Sequence, residues 1–231
     1  MTTRVSRRPQ LGTRRLLTLV GLAMMAACRD SASALPYYRS ATMTPEWLSD
    51  REASSRGTHR VGTFRLTDQS GASVSNRTFG GRVTVVGFFF TRCGDVCPTT
   101  TRNLARLLRD LPDGPDVQIL SHSVTPDRDS VAALHSFAES HGISDPRWRL
   151  LTGPADEITR LARDSYFVRL GSDSTYGVPS IAHTESVLLV DGCGRLRGVY
   201  AGTLALEMQR LREDVLTLER ANCSVAELSM F

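Results

Sequence analysis

The stretch Arg82 to Pro98, RVTVVGFFFTRCGDVCP, decides how this chain folds. Its first nine residues are almost continuously apolar and rich in β-branched and aromatic side chains, which predicts a central strand buried on both faces. A short loop with two cysteines, Cys93 and Cys97, follows directly. Beyond it, Leu104, Leu107, Leu108 and Leu111 recur at helical spacing and predict a helix over 99–111 with one apolar face. Asp113-Gly114-Pro115 stops that helix, and Val117 to Val124 reads as a second strand, so the unit is strand–helix–strand.

Working outward, 64–71 reads as a strand running into a turn, and 129–140 and 155–167 read as helices. A Gly/Ser/Pro-containing connection occupies 171–179. A strand at 186–190, a turn at Asp191-Gly192-Cys193-Gly194, a strand at 197–200 and a helix at 204–220 close the domain. Strands joined by helices early, then a hairpin and a closing helix, predict an α/β domain of thioredoxin-like type, a central mixed sheet flanked by helices.

The chain has 231 residues, a net charge of +4 and 28 basic residues, all of them Arg. Five of these lie in the first 27 residues, which contain no acid, leaving 23 against 24 acids in the rest. The basic character therefore belongs to the leader, and no nucleic-acid partner is expected. In that leader an uncharged run, Leu16 to Ala27, follows the basic residues, the layout of an export signal. Twelve helical residues rise only about 18 Å, too short to span a bilayer. Cys28 follows Met25-Ala26-Ala27, a pattern similar to the bacterial lipobox, in which the cysteine is lipidated. Cleavage after Ala32-Ser33-Ala34, or a degenerate twin-Arg signal around Arg14-Arg15, are the competing readings. All three place the folded part outside the cytoplasm, where disulfides persist. The expected organisation is an export signal over 1–27, a flexible tether over 28–58 with one short helix near Pro45 to Leu48, and the folded domain over 59–231.

The chemistry rests on five cysteines, Cys28, Cys93, Cys97, Cys193 and Cys223. At a strand-to-helix junction, Cys93 and Cys97 feel the positive end of the helix dipole, which favours thiolate. Three intervening residues let them act as a dithiol, close as a disulfide or clamp a soft metal. A purely local staple closes too short a loop to constrain much of the unfolded chain. Cys193 and Cys223 are read as a second disulfide pinning the C-terminal tail; unpaired, Cys193 becomes a thiol available for exchange with the first pair. Asp95, between the thiols, is read as tuning their acidity or as a helix N-terminal acid. His122, His135 and His141 are read as packing or surface residues.

The run Phe88 to Pro98, with its CxxxCP spacing and Asp95-Val96-Cys97-Pro98, resembles the signature of the Sco/SenC family of thioredoxin-fold copper chaperones for cytochrome c oxidase. Val124-Thr125-Pro126-Asp127-Arg128-Asp129 resembles that family's stretch after the second strand, and His183 followed by Val187 to Asp191 resembles its His-plus-strand segment. The resemblance covers roughly 62–203. It implies that Cys93, Cys97 and His183 bind copper, and that Asp127 and Asp129 form a docking or orienting surface, with helix capping the simpler role for Asp129. Two thiolates and an imidazole suit Cu(I), while Cu(II) also accepts nitrogen and sulfur. A structural zinc site wants four protein ligands, and no fourth is identifiable. The implied partners are the copper-bearing subunit of cytochrome c oxidase and another copper chaperone or a thioredoxin-like reductase. The alternative is a metal-free thiol–disulfide oxidoreductase of exported proteins, with Cys93 and Cys97 as the catalytic pair. A peroxidase of the same fold ranks third, because the CxxxCP pair is not the peroxiredoxin arrangement.

Overall fold

A computed structural model describes residues 35–39, 42–94, 96–112, 116–168, 172–173, 178–179, 185–219 and 223. In chain order its elements are β1 (Tyr37–Tyr38), β2 (Pro45–Glu46), α1 (Asp50–Ser55), β3 (Arg65–Asp68), β4 (Ser73–Ser75) and β5 (Val83–Phe89). Then come α2 (Val96–Asp110), β6 (Val117–Ser123), α3 (Val131–Ser140), β7 (Trp148–Thr152) and α4 (Ala155–Arg160), the last continuing into a π-helical turn at Leu161–Ser165. Last are β8 (Ser172–Asp173), β9 (Val178–Pro179), β10 (Ser186–Val190), β11 (Leu196–Ala201) and α5 (Ala205–Glu219).

Among the described residues, seven strands form one mixed sheet in the order β11-β10-β5-β6-β7-β3-β4. β5, β6 and β7 run parallel, and β10, β11, β3 and β4 add antiparallel margins. The parallel pairs require crossovers, which α2 and α3 supply. The predicted α/β architecture is the observed one, and its physical cause is visible in β5. Val83, Val85 and Phe89 pack toward α2, α3 and α5, while Val86 and Phe88 pack into a second core with Phe64, Phe79 and Ile158. A strand that is apolar on both faces belongs in the middle of such a sandwich. Leu104, Leu107, Leu108 and Leu111 are all buried, so the predicted face of α2 is the one that packs.

Several boundaries differ from the sequence expectation. α2 starts at Val96, which places Cys97 inside its first turn. β7 is absent from the sequence expectation; it lies beside β6 and is short, with a half-buried Arg149 as its second residue. The helix expected over 155–167 gives way to the π turn, and Phe167 adopts φ of 56°.

The largest correction concerns the stretch read as a flexible tether. The described part of 35–58 packs on the domain. Tyr37, Leu48 and Ala53 are buried together, and α1 lies at Asp50–Ser55 rather than 45–48, capped by Ser49 and Glu52. Arg197 donates to the carbonyls of Leu35 and Pro36, pairs with Asp191 and stacks over the Tyr37 ring at 3.8 Å. A buried guanidinium needs such partners, and this arm supplies them. No helix of the described residues is long and apolar enough to cross a membrane.

Candidate functional site

β5 delivers the chain to the carboxyl edge of the parallel strands, the edge at which open α/β sheets place their ligands. Phe90 to Gly94 then turns toward α2, with the Cys93 N–H donating to the Phe90 carbonyl at 3.1 Å. Cys93 is half-buried in this turn and packs on the α2 side of the core, whereas Cys97, in the helix, is only 8% exposed. The two sulfurs are bridged, with their Cα atoms 5.8 Å apart. The loop thus carries the accessible sulfur and the helix the protected one, an arrangement in which an incoming thiolate or metal meets Cys93 first.

Asp129 ties this loop to the neighbouring strand. Its carboxylate is 1% exposed and accepts from the Thr91 hydroxyl at 2.6 Å, the Thr91 N–H at 3.3 Å, the Ser123 hydroxyl at 2.6 Å and the Thr125 hydroxyl at 3.0 Å. The helix-capping role belongs to its neighbour: Ser130 caps α3 and accepts from the Ala133 N–H. Asp129 therefore faces inward, while Asp127 is exposed. Sequence reasoning missed this role because the Thr91–Asp129 contact spans 38 residues. The only local signal was the cluster of short hydroxyl side chains at Ser123 and Thr125.

The second disulfide lies at the other end of the sheet. Cys193 sits in the β10–β11 turn and is bridged to Cys223, with Cα atoms 5.5 Å apart. That turn meets the start of β5: Gly81 donates to the Gly192 carbonyl, and a Cβ on Gly192 would lie 2.9 Å from the Gly81 backbone. Asp191 shapes the turn by accepting from the N–H groups of Cys193 and Arg195. The length of β5, about 20 Å for six strand steps, separates this turn from Cys93. Exchange between Cys193 and the first pair, the consequence expected of an unpaired Cys193, is not available in this arrangement.

The histidines divide as packing and surface groups. His122 is fully buried among Phe64, Phe88 and Tyr166. His135 is exposed beside Glu139, and His141 stacks on Phe137. His183, Asp95 and Cys28 lie outside the described residues. Among the described residues no three His, Cys, Asp or Glu side chains gather to hold a metal, so the structure brings together the two sulfurs and leaves the third expected ligand unplaced.

The family model SCO1/SenC matches residues 52–217. A SCO1/SenC family lipoprotein from Bacillus anthracis is 30% identical, with a TM-score of 0.61 over 69% of this chain and 95% of that one. BsSco, a member of the Sco family of cytochrome c oxidase assembly proteins in which a disulfide switch is identified, is 28% identical, with a TM-score of 0.60 over 70% and 94%. ScoI of Bradyrhizobium japonicum, solved with copper bound, is 27% identical, with a TM-score of 0.57 over 69% and 99%.

Proposed function

The chain belongs to the SCO1/SenC family, and from that membership we propose that it is an extracytoplasmic copper chaperone that delivers copper to the dinuclear copper centre of cytochrome c oxidase. The observation that carries the reading is the Cys93–Cys97 pair, one sulfur half-buried in a loop and one protected in a helix, at the carboxyl edge of the parallel strands. In the bridged form the pair binds no copper. Two electrons and two protons from a reductant, a thioredoxin-like protein or another dithiol, open the bridge to two thiols. Cu(I) then displaces both protons and is held by the two sulfurs, with His183 as the third ligand. A three-coordinate site reached through Cys93 would allow transfer by exchange: a partner thiolate or imidazole replaces one ligand at a time, beginning at Cys93.

Export directed by the signal and a lipid on Cys28 would place the protein at the outer face of the membrane, a placement supported by the lipoprotein among its structural relatives. The second reading is a metal-free thiol–disulfide oxidoreductase, for which the same arrangement of an accessible Cys93 and a protected Cys97 would serve as attacking and resolving thiols. Restoration of oxidase assembly in a strain lacking the protein separates the two. The copper reading predicts that Cys93→Ser and His183→Ala both fail. Full activity of His183→Ala beside loss in Cys93→Ser would establish the redox reading instead.

A further inference from the structure

We infer that Asp129 is a positioning residue for the thiol pair, acting through Thr91 to hold Cys93 where it can meet Cys97. The inference rests on Cys93 and Cys97 as the working pair. Cys97 is fixed by its helix and its burial, whereas Cys93 sits in a loop whose placement needs another source. Thr91, two residues earlier, is held by both of its donors: its hydroxyl and its N–H reach the two oxygens of Asp129. The Cys93 N–H closes a turn onto Phe90 immediately after. Ser123 and Thr125 hold the same carboxylate from the end of β6, and the Thr125 N–H in turn donates to the Ser123 hydroxyl. The Cys93 loop is thereby fastened to the parallel sheet.

Four donors converge on Asp129, and a carboxylate is the side chain that can accept from all of them; an amide would turn an N–H₂ toward one donor group. Disulfide closure tolerates only a narrow range of Cα separation, and a metal clamp likewise needs both sulfurs in place. Loosening the anchor therefore lowers the effective concentration of one sulfur at the other, by the logic that governs any intramolecular reaction.

The test is the metal-free equilibrium of the Cys93–Cys97 bridge with glutathione in the full chain. Two glutathione thiols are oxidised to their disulfide, the protein S–S bond breaks, and each protein sulfur takes one proton. Differential alkylation and mass spectrometry of the peptide carrying Cys93 and Cys97 read this pair apart from Cys193–Cys223. Thr91→Val and Asp129→Asn are expected to shift the equilibrium at least tenfold toward the dithiol, about 30 mV in potential. Thr91→Ser, which keeps the hydroxyl, is expected to stay within twofold of the parent. Thr78→Val removes a comparable hydrogen bond, to Gln118 near the start of β6; it should lower the melting temperature and leave the equilibrium within twofold. Should Asp129→Asn not fold, Thr91→Val carries the test alone. A Thr91→Val equilibrium within twofold of the parent overturns the inference. If that happens while the parent loads copper normally, only the positioning role is lost. If the shift appears in a protein that takes no copper, the positioning role stands and the copper reading is lost.

Discussion

His122 lies on β6 with its ring inside an aromatic cage, 5.5 Å from Phe88 and 5.6 Å from Tyr166 between centroids. Burial pulls its imidazole down to about 4, opposed in part by backbone contacts to Gly87 and Leu120. Burial also keeps Tyr166 neutral, far above the usual phenol range. In the unfolded chain the same histidine titrates near 6.5. Between those values the unfolded state binds more protons, so stability is complete above about pH 6.5 and falls as the pH drops toward 4. The loss expected over that window is about 3 kcal/mol. Urea unfolding of the parent and of His122→Phe at pH 7 and pH 4.5 checks this: the parent should weaken more than the variant, and equal losses would contradict it. The sequence reading of His122 as a packing residue agrees with its place. Asp129 was harder to read, because a buried carboxylate next to a helix start resembles a cap until Thr91, from another element, is seen beside it.

At the scale of elements, β5 and α2 were legible because each carries its burial in its own pattern: an unbroken apolar run for a two-faced strand, four leucines at helical spacing for a one-faced helix. β7 was not legible, since its strand character comes from lying between β6 and β3 rather than from composition. The N-terminal arm failed to declare itself for the same reason, its contacts being far away in sequence: Arg197 reaches Leu35 across 162 residues. This arm yields a prediction of its own. A chain beginning at Leu35 keeps every one of those contacts, whereas one beginning at His59 loses the Arg197 bonds to Leu35 and Pro36 and the buried cluster of Tyr37, Leu48 and Ala53. A hydrogen bond to a charged group contributes about 1.5–3 kcal/mol, so the shorter chain should melt at least about 5 °C below the longer one. Equal melting temperatures would show that the arm's contacts contribute nothing to the fold.

The whole molecule has two ends with different duties. One end of the sheet carries the reducible pair, fastened through Thr91 and Asp129. The other carries the Cys193–Cys223 bridge and the docked arm, gathered around Asp191 and Arg197. Closing a loop of 30 residues, the second bridge constrains the unfolded chain by about 3–4 kcal/mol, while the first closes a loop too short to do so and is free to serve chemistry. Because the arm docks at the end remote from Cys93, the proposed attachment through the N-terminal region would leave the thiol pair open to a partner. The central claim is that copper held by this pair passes to the oxidase. The most direct measurement loads the reduced chain with one equivalent of Cu(I) and mixes it with the metal-free, reduced soluble domain of the oxidase subunit that carries the dinuclear centre. The metal content of each protein is then followed after separation. Copper should leave this chain and appear in the partner, and Cys93→Ser should deliver none. Copper that stays where it was loaded, while in a parallel mixture the copper-free reduced chain reduces the disulfide of the oxidised partner, would contradict the account.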